Sequence, residues 1–454
     1  MTKARESWGS KLGFILAVAG SAIGLANIWR FPYMVGSYGG AAFIILYLLC
    51  LLLIGFPAFM AETLIGRTAQ MSPGAAFRKL GGNRTWENMG KMTIVTGFIV
   101  SSFYSAVAGW ILGYLVEALL GRLTGFETTD QVTAHYTALM QHPLWGVSFH
   151  LLFILLCGAV LYLGVRAGIE RCSKWMMPLL FIVLFYLVIT GLMMPNAGAG
   201  LRFLLTPDWT AITPTAVVLA LGQAFFTLSV GQGTLVTYGS YFSPKENLVQ
   251  SCFPIVLMDT CVSLLSAVAV FTIVFSVGME PNSGPGLIFQ TLPWVFSQVS
   301  GGYFLAIMFF VLVLLAALTS EISVLEPVIA YLVDEHGWKR KRAVLAAASG
   351  AFLLGVPSAL SYSVLRNFTL WDKTFLDWIE LLASSLLIPL GGLFAVLLVG
   401  WKWGFVNAFV SLKSGSDAFF KRYPWLENYF WFCFKFSAPI LIVIVFLHAI
   451  YSSF

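Results

Sequence analysis

The hydrophobic positions of the chain form long apolar runs that are separated by short polar segments. Each run reaches the roughly 20 residues that a membrane-spanning helix needs, and the longer ones are typical of tilted or broken helices. The runs cover residues 11–35, 41–66, 90–120, 143–164, 172–194, 214–240, 249–278, 302–333, 343–360, 378–401 and 427–451. The pattern therefore predicts an all-α membrane protein of about eleven transmembrane spans, numbered here in chain order.

The composition supports lipid as the solvent of this protein. Of its 454 residues, 59% are hydrophobic and only 10% are charged, whereas a soluble domain carries about 25% charged residues to keep its surface in water. Phenylalanine and tryptophan, with 39 and 15 copies, suit bilayer interiors and interfaces. Since no linker rich in Ser, Pro or Gly divides the chain, we expect residues 1–454 to form a single membrane domain.

The basic residues indicate the orientation of the spans. With the N-terminus inside, 20 of the 26 Lys and Arg residues fall in inside segments, as the positive-inside rule expects. They are Lys3, Arg5, Lys11, Arg67, Arg78, Lys79, Arg84, Lys91, Arg166, Arg171, Lys174, Lys245, Lys339, Arg340, Lys341, Arg342, Lys402, Lys413, Lys421 and Arg422. We therefore predict a multi-pass protein of the inner (plasma) membrane with a cytoplasmic N-terminus and, for eleven spans, an outside C-terminus. The net charge of +6 is explained by this orientation of the spans, so we expect no nucleic-acid partner.

The sequence lacks the patterns that are typical of disulfides, metal sites and enzymes. The six cysteines lie in or at the ends of apolar runs and none lies in the outside loop 122–142, so we expect no structural disulfide. The five histidines have no metal-ligand spacing, and the chain shows no nucleophile motif or phosphate-binding loop. We therefore expect neither an enzyme nor an organic cofactor.

Two spans are interrupted near their middles by small and polar residues, at 20–27 and 227–234. Glycine inside a helix costs about 1 kcal/mol relative to alanine, and unwound backbone inside a membrane must be buried in protein or line a cavity. Four spans separate the interruptions, so residues 11–194 and 214–401 form two five-span units that enter the membrane in opposite senses, with 427–451 as an extra span. An inverted repeat with broken helices at matching positions predicts a binding site near the membrane centre.

Several motifs resemble the neurotransmitter:sodium symporter family, in particular its bacterial amino acid transporters of the leucine-transporter fold. They are Trp8-Gly9, the stretch Gly24-Leu25-Ala26-Asn27-Ile28-Trp29-Arg30-Phe31-Pro32, Gly39-Gly40, Phe225-Phe226-Thr227-Leu228-Ser229 and Ala316-Ala317-Leu318-Thr319-Ser320. The resemblance implies a sodium-coupled secondary active symporter that imports a neutral amino acid by alternating access. Its partners would be the amino acid, sodium ions and the lipid bilayer.

The resemblance also implies two sodium sites built from oxygen atoms, the ligands that hard cations prefer. The first site, beside the substrate carboxylate, maps to the Ala22 carbonyl, Asn27, Thr227 and Asp259. The second maps to the carbonyls of Gly20, Ile23 and Ala316 and to the hydroxyls of Thr319 and Ser320.

Asp259 is informative from its charge alone. Inserting a carboxylate near the middle of a membrane helix costs about 2.5–3.5 kcal/mol even on the mildest scale, so it needs a partner, either a functional one or a buried donor. Chloride-dependent relatives have Asn at this position, and their other chloride-site residues are matched by Tyr47, Gln223, Thr227 and Ser263. We expect Asp259 to replace the anion and transport to be independent of chloride.

The substrate site follows from the same breaks, because the ends of half-helices present N–H groups to anions and carbonyls to cations. By resemblance, the amides of Leu25 and Ala26 with the Tyr104 hydroxyl bind the carboxylate, and the carbonyls of Ala22, Phe226, Thr227 and Ser229 bind the amine. The side-chain subsite would be lined by Val100, Phe226, Gln232, Ser320 and Val324.

Three positions bear on the substrate class. Monoamine transporters usually have Asp where this chain has Gly24, so the ligand should bring its own carboxylate, which favours an amino acid over an amine. Ala26 stands where most relatives have Gly, and Gln232 where many have a bulky apolar residue. Gln232 either contacts a polar group of the substrate or bonds to neighbouring backbone, and the preferred amino acid stays open.

The resemblance implies a gate on each side of the site. The outer gate would pair Arg30 with Glu380 above a lid formed by Tyr104 and Phe226, with Asp377 as a possible competitor for the cation. The inner gate would join Arg5 and Trp8 to Ser240, Tyr241 and Asp334. Gly168 and Pro178 match a pattern that is associated with local unwinding of span 5.

Two other functions fit the same sequence. One is an amino acid sensor or receptor that kept the site but lost transport, and the other is a ligand-gated sodium channel, whose sodium current would far exceed its substrate flux. The sequence leaves open the ion stoichiometry, counter-transport of protons and the oligomeric state.

Overall fold

The structure, a computed structural model, describes residues 6–244, 246–278 and 284–453. Within these ranges the chain is helical apart from turns and short connections, and it contains no strand. Its β-type pairing is limited there to two isolated bridges, Gly40 with Pro207 and Leu370 with Lys373.

Nine helices of the described ranges are long and apolar enough to cross a membrane. They are Ala41–Ala69 (span 2), Arg84–Leu119 (span 3), Pro143–Tyr162 (span 4), Val165–Leu192 (span 5), Leu248–Ser276 (span 7), Gly302–Asp334 (span 8), Arg340–Ala359 (span 9), Phe375–Lys402 (span 10) and Trp425–His448 (span 11). Span 1 is a bent pair, Lys11–Ala22 and Ala26–Ser37, at an angle of 54°. Span 6 consists of Pro214–Phe226 and Thr234–Ser240. The predicted all-α fold with eleven spans and broken spans 1 and 6 is confirmed.

Short helices connect the spans on both sides of the membrane. On the side where span 1 begins lie Pro73–Gly81, Phe405–Lys413 and Asp417–Arg422. On the opposite side lie Thr129–Met140, Ala197–Leu205, Trp209–Ala211, Gly284–Leu287 and Thr291–Gln298.

The interior of the bundle lies between the broken spans and spans 2, 3, 7 and 8. In the most apolar stretch of span 3, 72% of the residues are buried, whereas the corresponding share is 33% in spans 4 and 11. Spans 4 and 11 therefore turn most of their surface to lipid, and spans 3, 7 and 8 surround the two breaks.

Each break has a local cause. In span 1, Ile23 is extended (φ −74°, ψ 102°) and ends the first half-helix. A methyl group on Gly24 would lie 2.7 Å from Ser320 Oγ and 3.2 Å from the Tyr104 hydroxyl, so a larger residue would require these side chains to move. In span 6, Gly231 and Gly233 have φ of 87° and 74°, a region that favours glycine and interrupts a right-handed helix.

Candidate ion and substrate site

The two breaks contact each other in the interior of the bundle. The Ser229 hydroxyl donates to the carbonyl of Ser21 at 2.9 Å, and the Gln223 amide donates to the carbonyl of Ala26 at 3.2 Å. Ser229 adopts a left-handed conformation (φ 54°), which is uncommon for a residue other than glycine and follows from the turn that replaces the helix. Carbonyl groups of both half-helix ends are thereby freed beside one another.

The first cluster of polar groups surrounds Asp259 of span 7, which is fully buried. The Asn27 Nδ2 donates to Asp259 Oδ1 at 2.7 Å, and the Thr227 hydroxyl lies 3.1 Å from both carboxyl oxygens. The Asn27 Oδ1 in turn accepts from the amide of Gly24 at 2.9 Å. The structure therefore brings together three of the residues predicted for the first sodium site, and the fourth, Ala22, ends the half-helix just before Gly24.

The charge of this cluster suits a small cation. Among the residues that the structure describes, Asp259 has hydrogen-bond donors but no Lys, Arg or His within ion-pair distance. A buried carboxylate without a cation is strongly unfavourable. Carboxylate, amide and hydroxyl oxygens beside freed carbonyls are the ligand types that hard cations take.

The second cluster lies where span 8 packs on the first half of span 1. The Ser320 hydroxyl is 3.0 Å from the carbonyl of Ser21, 3.3 Å from that of Ile23 and 3.5 Å from that of Gly20. The Thr319 hydroxyl is 3.1 Å from the carbonyl of Ala316, one turn earlier. One hydroxyl proton cannot satisfy three carbonyls at once, so oxygen lone pairs remain available to a cation here. All five residues predicted for the second sodium site adjoin this cluster.

The residues predicted for substrate binding line the region between the breaks and span 3. The amide of Leu25 donates to the Tyr104 hydroxyl at 3.4 Å, which places that hydroxyl at the start of the second half of span 1. Val100 and Val324 are buried, with 3% and 5% exposure. The other predicted residues are buried except for Phe226, which is partly exposed; they are Ala22, Ala26, Phe226, Thr227, Ser229, Gln232 and Ser320.

The outer-gate residues lie close together, but the expected ion pair is not formed. The Arg30 guanidinium lies 5.2 Å from the centre of the Phe226 ring and makes no contact within 4 Å with the carboxylate of Glu380. Asp377 does not compete for Arg30, because its carboxylate accepts from the backbone N–H and the hydroxyl of Thr374 at 2.8 and 2.7 Å in a helix-capping box.

The inner side of the site is closed by aromatic residues. The Trp8 indole donates to the carbonyl of Tyr238 at 3.1 Å, and the Trp8 backbone N–H donates to that of Tyr241 at 3.3 Å. Trp8 also packs edge-on against the Tyr238 ring at 5.1 Å. Ser240 lies on the same turn and Asp334 ends span 8, whereas the predicted gate residue Arg5 lies outside the described residues.

The sequence analysis did not single out five carboxylates that the structure places near the gates and breaks. Glu170 accepts from the amide of Gly9 at 2.6 Å and the hydroxyl of Ser10 at 2.9 Å. The others are Glu6 and Glu326, which contact Arg340 at 3.5 and 2.7 Å, Glu62, which accepts from the amide of Gly231 at 2.7 Å, and Glu321, which accepts from the hydroxyl of Ser101. The sequence signal that could have identified these carboxylates is a charged residue within or beside an apolar run. Such residues are rare there unless they have a function or a partner.

Comparisons with known proteins identify relatives of the chain. The sodium:neurotransmitter symporter family matches residues 5–138 and 142–453. An uncharacterized sodium-dependent transporter of Bacillus subtilis (strain 168) is 40% identical over 446 residues, covering 98% of this chain and 97% of the relative. The human sodium- and chloride-dependent taurine transporter is 26% identical over 489 residues, covering 94% of this chain and 76% of the relative.

A solved structure shares the fold. The crystal structure of MhsT in complex with L-phenylalanine matches with a TM-score of 0.88 at 38% identity, covering 98% of this chain and 100% of MhsT. The family match spans nearly the whole chain, and the eleven spans make it an integral membrane protein. The chain therefore belongs to the sodium:neurotransmitter symporter family and is a sodium-dependent transporter.

Proposed function

We propose that the protein is a sodium-coupled symporter that imports a neutral amino acid by alternating access. The observation that carries the proposal is the meeting of two broken spans beside a buried carboxylate that has no basic partner among the described residues. This arrangement supplies carbonyl, hydroxyl and carboxylate oxygens at a depth where an intact helix would have none free.

The substrate is an amino acid because the site complements both ends of a zwitterion. The second half of span 1 begins near Leu25 and points backbone N–H groups, with the positive end of its dipole, toward a carboxylate. The Tyr104 hydroxyl lies at the same place. The carbonyls of Ala22, Phe226, Thr227 and Ser229 bind the amine. L-phenylalanine in the MhsT structure and the absence of an acidic side chain at Gly24 support the same class.

Two sodium ions are cargo in this mechanism. One is held by Ala22, Asn27, Thr227 and Asp259 together with the substrate carboxylate, which couples the ion directly to the amino acid. The other is held by Gly20, Ile23, Ala316, Thr319 and Ser320, where it joins span 8 to the first half of span 1. Binding of both ions therefore fixes the two halves of span 1 relative to the scaffold.

Transport is independent of chloride because Asp259 carries the negative charge that the site needs. Its carboxylate is fully buried and accepts from Asn27 and Thr227. The Asn27 Nδ2 also lies 2.9 Å from the hydroxyl of Ser263, so the position matched to a chloride site is already next to the carboxylate. A second buried anion there would be repelled.

The cycle opens one gate at a time. Closing the outer side moves Arg30 from the Phe226 ring toward Glu380, above the Tyr104–Phe226 lid. Opening the inner side breaks the contacts of Trp8 with Tyr238 and Tyr241 and frees the start of span 1. In the cell the protein lies in the plasma membrane with a cytoplasmic N-terminus, so this direction is import.

The test is uptake into proteoliposomes of each of the twenty amino acids, with and without an inward sodium gradient. We expect sodium-stimulated accumulation of at least one neutral amino acid. Sodium-independent uptake, or no uptake of any of them, would contradict the proposal. Parallel current recordings separate symport from a channel, in which sodium current would far exceed substrate flux.

A further inference from the structure

Two buried side chains near the proposed substrate site have oxygen atoms without a hydrogen-bond partner. The Oε1 of Gln232, on the broken part of span 6, has none, and the Gln232 residue is 3% exposed. The Oε2 of Glu321, on span 8, has none either, and Glu321 is fully buried. In the described part of the chain the Gln232 side chain makes no hydrogen bond at all, so neighbouring backbone does not satisfy it.

Gln232, through its backbone, and Glu321, through its side chain, border the same two turns of span 3. A methyl group on Gly97 would lie 2.8 Å from the backbone carbonyl oxygen of Gln232 and 3.4 Å from that of Val324, so spans 6 and 8 both touch span 3 at this point. Ser101, one turn further along the same face, donates its hydroxyl to Glu321 Oε1. Gln232 and Glu321 therefore both lie beside span 3 near Val100, which is predicted to line the side-chain subsite.

Buried polar groups in proteins are nearly always hydrogen-bonded, and a group left without a partner is unfavourable. An unpaired amide oxygen accepts, and the free oxygen of a carboxyl group accepts when ionised and both donates and accepts when protonated. A hydroxyl or N–H group at the end of a bound side chain would donate to the free Oε1 of Gln232. A purely aliphatic or phenyl side chain would leave it unpaired.

We propose that Gln232 and Glu321 make this transporter selective for neutral amino acids whose side chain ends in a hydrogen-bond donor. The inference rests on the proposed function, because it assigns the substrate class of the same site. Gln232 is the primary selector, since its unpaired amide belongs to the span 6 break that forms the site. Glu321 supports the selection from span 8 through its second oxygen.

The chemistry sets the size of the expected preference. An apolar pocket separates isosteres that differ by one hydroxyl only weakly, whereas a site built to bond a hydroxyl strongly rejects the analogue that lacks it. Threonine and valine form one such isosteric pair, and tyrosine and phenylalanine differ by a single hydroxyl. In the pair whose size fits the site, we expect the donor-bearing member to compete at a concentration at least tenfold lower.

The test is competition by both pairs against sodium-driven uptake of the best-transported amino acid in proteoliposomes. In the unmodified protein, equal competition within each pair, or stronger competition by the apolar members, would overturn the inference. We expect Gln232→Leu to remove or reverse the tenfold preference, and Glu321→Gln to reduce it at least threefold. Persistence of the full preference in both variants would also overturn it.

Matched controls separate this inference from the proposed function. Gln250→Leu and Glu427→Gln make the same changes at exposed positions and should leave the ratios unchanged. The measured ratio compares two substrates on one preparation, so a partial loss of folded protein cancels. If no amino acid shows sodium-stimulated uptake, the proposed function fails; if uptake is present but the pairs compete equally, only the selectivity inference fails.

Discussion

Asp259 is the one charged side chain of the proposed first sodium site. In Asp259→Asn the buried negative charge is lost while the shape is nearly kept, and the donors of Asn27 and Thr227 then face a neutral amide. We expect the variant to lose uptake in chloride-free buffer and to regain it when chloride is added, because the anion can replace the missing charge. The measurement is initial uptake in proteoliposomes with gluconate in place of chloride.

The control for this substitution is Asp208→Asn. Asp208 lies outside the bilayer, where hydrogen bonds from Thr210 lower the pKa of its carboxyl group, so the same charge is removed far from the site. Its uptake should be unaffected by chloride. Loss of uptake by the unmodified protein in chloride-free buffer would show that Asp259 does not serve as the anion.

Ser320 offers a test of the proposed second sodium site. In Ser320→Ala the hydroxyl near the carbonyls of Ser21, Ile23 and Gly20 is removed. One oxygen ligand of several is lost, and losing a hydrogen-bonding group of this kind costs about 1–3 kcal/mol. The sodium concentration for half-maximal uptake should therefore rise by about 5- to 150-fold. Ser349→Ala, on the exposed face of span 9, is the matched control; an unchanged sodium dependence in Ser320→Ala would argue against this site.

The sequence predicted the role of a residue where the residue type alone restricts what that residue can do. Asp259 follows from the cost of a charge in the membrane, and the proposed sodium ligands follow from a resemblance carried by contiguous motifs. The partners of Glu170 and Glu321 were not readable, because their contacts come from spans far apart in the chain. Whether Gln232 bonds to backbone depends on distances of a few tenths of an ångström, which no pattern of residues encodes.

At the scale of elements, the first half of span 1 is held by its contacts with span 5. The carboxylate of Glu170 accepts from the amide of Gly9 and the hydroxyl of Ser10 and forms an ion pair with Lys174 at 2.6 Å. Hydrogen bonds to a charged group contribute about 1.5–3 kcal/mol. We expect Glu170→Gln to weaken this contact and to raise hydrogen–deuterium exchange at the start of span 1 by tenfold or more.

The readout is exchange in peptides that cover residues 6–22, measured in the absence of sodium and substrate. Glu427→Gln removes an exposed carboxylate that pairs with Lys413 at 3.4 Å and should leave these peptides unchanged. If exchange in Glu170→Gln equalled that of the unmodified protein, the contact with span 5 would not control the opening of this half-helix.

The apolar pattern predicted the existence of every span but not all of its ends. Span 3 was expected to begin near residue 90, yet it begins at Arg84, where the side chain of Asn83 caps the helix by accepting from the amide of Trp86. Glu87 and Lys91 pair at i and i+4 across its first turns. Charged residues extend the helix beyond the apolar run because they lie outside the hydrocarbon, a boundary that hydropathy alone does not mark.

At the scale of the whole molecule, the oxygen clusters lie between the two predicted five-span units. Each cluster combines groups from both units: Asn27 with Asp259 in one, and Gly20 with Ser320 in the other. A site shared in this way changes when one unit moves against the other, and alternating access requires such a change. The odd number of spans per unit was readable from sequence, whereas the pairing of residues across the units required the folded chain.

The proposed coupling predicts that transport responds to membrane potential. Two sodium ions and a zwitterion carry two net positive charges inward, and each charge crossing the full field gains about 2.3 kcal/mol per 100 mV. We therefore expect an inside-negative potential, set by potassium and valinomycin, to increase sodium-driven accumulation strongly, and an inside-positive potential to suppress it. Vesicles with equal potassium on both sides supply the control at zero potential. Accumulation that stayed the same at all three potentials would mean that no net charge moves with the substrate, and two-ion symport without a compensating counter-ion would then be wrong.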